Sequence, residues 1–384
     1  MTTYPIVDLH SHYPMHLRHP DVYDGPLDTL AALIRNDVRD TARALVMKAA
    51  RRLFSDESAT SGPSISVPHY RHGGVEVAFS ALYSPFDELF ARGRLFGPPV
   101  EDDFPTLLDQ MRIVEESVDE PFSRAVIARN MSEVVTARDA GKVALIHCVE
   151  GGFHLGSSAS EIDANVRTLK SRGVAYITVA HLFYRGIARN TAALPFLPDA
   201  VYHALFRQPD VGLTPLGEAL IRAMHRERVL VDVTHMSARA MDDTFELLDR
   251  LDAGTGAVTP VIASHGACRF GTLDYNLEER HVKELGRRGG VIGVIVCDHY
   301  AGDGILQGRS RTFEESARTI ARHVERICTF TSSEDHVAIG SDHDGFIKPT
   351  LAGLAHPGDL QRLAHAIEAE LGAAVAEKMA STNV

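Results

Sequence analysis

Pro5-Ile6-Val7-Asp8-Leu9-His10-Ser11-His12 is an apolar run that closes on two histidines two residues apart. Successive strand side chains alternate between faces, so His10 and His12 share one face and can grip one ion. Other apolar runs end in the same way. KVALIHCVE closes on Glu150, followed by Gly151-Gly152, and VLVDVTH closes on His235. VIASH closes on His265 and VAIGSD on Asp342, while the run over 174–180 leads directly into His181. Seven groups that can ligate or move protons, each at the end of a strand-like run, read most simply as a two-metal hydrolase site.

Eight such runs are expected, over roughly 5–10, 75–82, 143–149, 174–180, 229–234, 260–264, 290–297 and 336–342. Between them lie stretches of helical periodicity, among them 216–228, 238–251, 277–288, 313–330 and 360–379. Strand and helix alternating eight times predicts an α/β fold, a (β/α)8 TIM barrel, whose catalytic groups occupy the C-terminal strand ends. The seven residues fall at those ends. Two insertions depart from the repeat: 55–74, rich in Ser, Pro, Gly and His, and 190–212, with three prolines. Both are expected to act as lid-like loops over the site.

The 384 residues are 45% hydrophobic and contain no Trp, which suits one large domain over 1–384. The net charge of −12 argues against a nucleic-acid partner, because no basic stripe is present to meet phosphates. Cys148, Cys268, Cys297 and Cys328 show no metal-ribbon or disulfide-framework spacing. The first strand begins close to Met1, and no apolar run approaches the ~20 residues of a membrane span. A cytoplasmic enzyme acting on a small molecule, without membrane attachment, is therefore expected.

In this order and spacing the motifs DLHSH (8–12), GGV (73–75), VEGG (149–152), TVAH (178–181), GLTPLG (212–217), VDVTHMS (231–237), PVIASH (260–265) and GSDHDG (340–345) resemble the membrane dipeptidase (renal dipeptidase) family of metallopeptidases, within the amidohydrolase superfamily. The resemblance runs along nearly the whole chain. It implies His10 and His12 as ligands of a first metal ion, His235 and His265 as ligands of a second, and Glu150 as the carboxylate bridging both. It further implies that His181 contacts the scissile group and that Asp342 is the acid/base. The implied cofactor is a pair of divalent ions, zinc foremost, and the implied reaction is hydrolysis of a small dipeptide by a hydroxide held between them. Members of the family are commonly homodimers.

Two departures bear on this transfer. Where the family usually has aspartate, this chain has His12, and imidazole is an equally competent zinc ligand. In the loop after the sixth strand, where the family places an arginine before asparagine to hold the substrate carboxylate, stands Tyr275-Asn276. Tyrosine lacks the charged fork. Arg269, Arg185 or Arg189 could stand in; otherwise the substrate is an amide, lactone or small ester without a carboxylate at that place. A phosphoesterase on the same scaffold would commonly use a carboxylated lysine as bridge, and Glu150 fits that role better. His16, His19, His69, His72, His147, His154, His203 and His343 are read as bystanders rather than ligands, His154 with a place open to it in the pocket lining, and 101–103 is read as a solvated turn.

Overall fold

In the computed structural model the described residues are 3–18, 64–83, 88, 103–119, 122–195, 198–345, 347 and 349–384. The part of the first expected lid over 55–63, and the acidic turn at 101–102, lie outside them. β1 (Ile6–Ser11) and β2 (Val75–Leu82) pair in parallel, and β2 pairs onward with β4 (Val143–Glu150). β5 (Tyr176–Thr178), β6 (Leu230–Asp232), β7 (Val261–Gly266), β8 (Ile292–Val294) and β9 (Val337–Ile339) continue the sheet, and β9 returns to β1. Eight parallel strands thus close into the barrel that the alternation of runs predicts. β3 (Ala125–Ile127), which sequence patterning does not reveal, pairs with the start of β4 outside the ring. Its run ends in no ligand-type side chain and stands apart from the eightfold strand–helix alternation.

Inside the barrel, Val7, Leu9, Phe79, Cys148, Tyr176, Ile262 and Ala338 form an apolar plug. A second, larger core lies between the strands and the surrounding helices. Those helices start where capping residues stop the backbone donors from being orphaned. Ser158 and Glu161 form a reciprocal capping box at 159–171, Thr214 caps a helix opening on Pro215, and Thr312 caps 313–331.

Two irregularities shape the mouth of the barrel. Between Asp8 and Ser11, β1 advances three residues while β2 advances two, from Ala78 to Ser80. Between Ala263 and Gly266, β7 likewise gains a residue on β8. Such bulges break the strict alternation and re-aim side chains. Leu9 therefore belongs to the barrel interior while its neighbour His10 also reaches the barrel mouth. His265, beside inward-facing Ser264, gains the same freedom.

The two lid segments, where described, are tied to the same end of the barrel. Ser64 and Ile65 donate their backbone N–H groups to the Asp344 carboxylate at 3.0 and 3.1 Å. Asn190 donates to the Tyr202 hydroxyl and to Leu182 O, and Ala192 N donates to Asp274.

The tight seam of β7, β8 and β9 yields a test. A methyl group on Gly340 would stand 2.0 Å from Ser264 O and 3.0 Å from the Gly293 Cα, against backbone that cannot yield cheaply. Gly340→Ala is expected to destabilise the fold by about 3 kcal/mol in denaturant unfolding; unchanged stability would contradict this packing.

Candidate metal centre

All seven sequence-derived residues meet at the C-terminal mouth of the barrel. His10 lies one residue before the end of β1 and His12 just beyond it; Glu150 ends β4 and His265 is one before the end of β7. His181, His235 and Asp342 each stand three residues beyond β5, β6 and β9. None is more than 7% exposed.

Glu150 is at the centre. Its Oε1 lies 3.3 Å from His10 Nε2 and 3.5 Å from both His235 Nε2 and His265 Nε2. Its Oε2 lies 3.2 Å from His12 Nε2 and 3.4 Å from His181 Nε2. The imidazoles face one another in pairs, His10 Nε2 to His12 Nε2 at 3.3 Å and His235 Nε2 to His265 Nε2 at 3.1 Å. These are the pairs that the family resemblance assigns to separate ions. Asp342 Oδ1 is 3.1 Å from His12 Nε2 and 3.8 Å from His10 Nε2, so it also lies within ligand reach of the first pair. His181 falls within the same reach of Glu150 and His235.

Hydrogen bonding at the far ring nitrogens decides what the near ones can do. Tyr176 donates its hydroxyl to Leu9 O at 2.8 Å, so its oxygen accepts from His10 Nδ1 at 2.8 Å. That leaves His10 Nε2 as a lone pair aimed at Glu150. The same logic holds for His265. Asp232 Oδ2 accepts from the hydroxyls of Ser264 at 2.6 Å and Thr178 at 2.5 Å, and Ser264 Oγ in turn accepts from His265 Nδ1 at 2.9 Å. Asp232 Oδ1 takes the Thr234 hydroxyl and the backbone N–H groups of Thr234 and Ser264. A buried carboxylate saturated by five donors thereby fixes the His265 tautomer, the usual outer support of a metal-ligating imidazole.

Convergent lone pairs and carboxylate oxygens repel unless a cation lies between them. Glu150 Oε2 and Asp342 Oδ1 are buried acceptors without a hydrogen-bond donor among the described residues. This donor set fits divalent metal ions: neutral imidazoles with carboxylates, the chemistry zinc takes. The electrostatics agree. Burial, with His10 adding repulsion, holds His265 well below the usual imidazole range, and burial also lowers His235, so both stay neutral. Burial disfavours charge on His12 too, but Glu150 and Asp342 outweigh it and lift its pKa to about 9. Burial likewise opposes charge on His181, yet Glu150 and Glu88 lift it to about 10. Burial would raise Glu150, and His181, His10 and His12 instead hold it well below the carboxylate range. A proton on His12 occupies the place that a bound cation would take.

Backbone strain collects at the same residues. His235 and Asp342 have φ of 68° and 56°, in the left-handed region that non-glycine residues rarely occupy. Gly345 makes the Asp342 turn possible, since a Cβ there would collide with Asp342 Oδ1 at 1.9 Å.

The substrate-side candidates are placed differently. Tyr275 is buried, its ring 5.2 Å from that of His235 and stacked on Tyr300 at 4.1 Å, and its hydroxyl donates to His265 O at 3.1 Å. Asn276 donates to Tyr300 O. Arg269 engages Asn276 O, Asp274 O and the Glu278 carboxylate. Arg189 pairs with Asp210, and Arg185 donates to Glu88 O. His154 packs on Phe153 with the rings tilted, centroids 4.0 Å apart, and lies edge-on to Tyr83 at 6.2 Å. Sequence patterning does not single out Tyr176, Asp232 or Glu88. Asp232 sits within the VDVTH motif, two residues before Thr234, but nothing around Glu88 marks it.

Comparison with known proteins adds to this geometry. The whole chain, residues 1–384, matches the family described as Membrane dipeptidase (Peptidase family M19). Dipeptidase 3 of Mus musculus is 27% identical over 249 residues, 62% of this chain and 43% of that protein, so the alignment spans less than half of that relative. The crystal structure of dipeptidase AC, a metallopeptidase of family M19, aligns with a TM-score of 0.72 at 19% identity, covering 100% of this chain and 97% of the other. A metallopeptidase of Rhodobacter sphaeroides, solved with a phosphinate mimic of the dipeptide L-Ala-D-Ala, aligns with a TM-score of 0.71, also at 19% identity and with the same coverage. At these identities the structural likeness speaks for the fold.

The Asp232 hub can be tested directly. In Asp232→Asn the amide would donate toward Ser264, which must then donate to His265 Nδ1 and drive the ring proton to Nε2. Zinc affinity, measured by competition with a chromogenic chelator, is expected to fall about 10–100-fold while the circular dichroism spectrum is retained. Unchanged affinity would show that the hub does not orient the ligands.

Proposed function

Because the chain belongs to the membrane dipeptidase family, peptidase family M19, we propose that it is a metal-dependent dipeptidase that cleaves the amide bond of a small dipeptide with two zinc ions bound at this centre. The observation that carries the reading is the convergence of five imidazole Nε2 atoms on Glu150, with Asp342 beside the His10–His12 pair. His10 and His12 would hold one ion, His235 and His265 the other, with Glu150 shared. Bound there, the ions would supply Lewis acidity toward the scissile carbonyl and a nucleophile from water at neutral pH.

The chain's own groups do the rest. Asp342 presents a buried Oδ1 without a hydrogen-bond donor among the described residues, free to take the proton of the attacking water. It then returns that proton to the departing nitrogen, because an amine leaves poorly unless protonated. His181, whose Nε2 faces the Glu150 side of the centre, is placed to donate to the oxygen on which negative charge develops. The low exposure of all seven groups keeps bulk water out and strengthens each interaction.

A second reading is favoured by one observation. At the His235 side stands Tyr275, whose hydroxyl is committed to His265 O, while Arg269 is spent on its own loop. That surface suits a substrate end without a carboxylate: a neutral amide, a lactone or another small ester. We further propose a cytoplasmic homodimer; the four cysteines are free, three of them buried, as suits a reducing compartment. No helix among the described residues is long and apolar enough to cross a membrane.

The experiment is a hydrolysis panel of L,L- and L,D-dipeptides, N-acyl amino acids, neutral amides and lactones with the zinc-loaded protein and its Asp342→Asn variant, metal content being assayed in both. Dipeptide turnover is expected, with kcat reduced about 10²–10⁴-fold in the variant. Turnover of neutral amides or lactones alone would favour the second reading, and no turnover of any of them would sink both.

A further inference from the structure

Glu88 is wholly buried, with 0% of its surface exposed, and no part of the two-metal chemistry calls for it. A carboxylate so placed is costly unless donors surround it. Three do. Tyr83 donates its hydroxyl to Oε2 at 2.7 Å, Phe183 donates its backbone N–H to Oε1 at 3.0 Å, and His181 Nδ1 lies 2.7 Å from Oε2. With two donors already fixed on it, the carboxylate is an acceptor toward the ring, so His181 Nδ1 carries the proton.

The ring is held from other directions as well. The Tyr83 ring meets the His181 ring edge-on at 4.5 Å, and the His235 ring does the same at 4.6 Å. Arg185 donates to the Glu88 main-chain oxygen, and Gln110 donates to Tyr83 O at 2.5 Å. Residues from beyond β2 thus lock the segment 181–185 beyond β5. Nε2, at the opposite end of the ring, is left 3.4 Å from Glu150 Oε2.

We propose that Glu88 is the positioning residue of His181: by accepting the Nδ1–H of the imidazolium it fixes the ring's place and orientation, so that Nε2–H is aimed at the reacting group above Glu150. The proposal rests on the dipeptidase reading for its kinetic consequence, and on hydrogen-bond geometry alone for its structural one. A ring left to rotate would still occupy the site but would meet the developing oxyanion in fewer orientations. The loss would fall on the transition state and little on substrate binding.

The test is a double-mutant cycle of Glu88→Ala, His181→Ala and the double variant, with Glu88→Gln as the isosteric variant whose amide oxygen can still accept from Nδ1. Zinc content and kcat and KM for whichever dipeptide the wild type cleaves are measured in each. Glu88→Ala is expected to lower kcat about 10–100-fold with KM and zinc content unchanged. Glu88→Gln should lose less, and Glu88→Ala should cost nothing further once His181 is gone. In protein labelled with ¹⁵N-histidine, the His181 Nδ1–H resonance should be sharp in the wild type and in Glu88→Gln but lost to exchange in Glu88→Ala. An additive loss in the double variant, or an unaltered resonance in Glu88→Ala, would overturn the proposal. If the wild type cleaves no dipeptide, the dipeptidase reading fails while the resonance still decides the role of Glu88.

Discussion

A buried carboxylate faced by five imidazoles, two of them presenting lone pairs, cannot stand by itself. Glu150 is 1% exposed and has five ring nitrogens within 3.5 Å, while the tautomers of at least His10 and His265 are fixed so that lone pairs, not protons, point inward. Taking charge from water costs several kcal/mol per ion unless opposite charge is close. Divalent cations among these atoms would balance the arrangement at His10 and His265, whose inward-facing nitrogens carry no proton to share with Glu150.

The fold is organised to hold that unfavourable set in place. Parallel strands bring their ends to one mouth, but regular strands would alternate and send half of the needed side chains into the helical layer. Bulges at Asp8–Ser11 and Ala263–Gly266 correct this for His10 and His265. Left-handed backbone at His235 and Asp342 does so where the strands have already ended. Such strain persists only where the surroundings over-determine it. The supports are visible: Asp232 with its five donors behind His265, Tyr176 behind His10, and the Asp8 carboxylate accepting from Ser341 N and Oγ in the turn before Asp342.

Much of this is legible in the sequence, for a physical reason. A barrel strand is a short apolar run, and a polar ligand at its end is conspicuous; Glu150 before two glycines and Asp342 after VAIGS need no structure to be noticed. β3 is not legible, since Ala125–Ile127 ends in no ligand-type side chain and lies outside the eightfold alternation. Glu88 is not legible either, because its partners Tyr83, His181 and Phe183 come from two loops that only the closed barrel brings together. Asp232 stands in plain view within VDVTH, yet in a strand its side chain could as well have faced the helices. Arg269, a candidate by charge and position, is held by its own loop, which depends on how the 267–278 backbone folds back on itself.

The central claim is that these atoms enclose two metal ions sharing one carboxylate. An anomalous-difference map at the zinc absorption edge, from crystals of the zinc-loaded protein, tests it most directly. Two peaks are expected, one against His10 and His12 and one against His235 and His265, both in contact with Glu150. A single peak, or peaks that leave Glu150 bound to only one ion, would contradict the account.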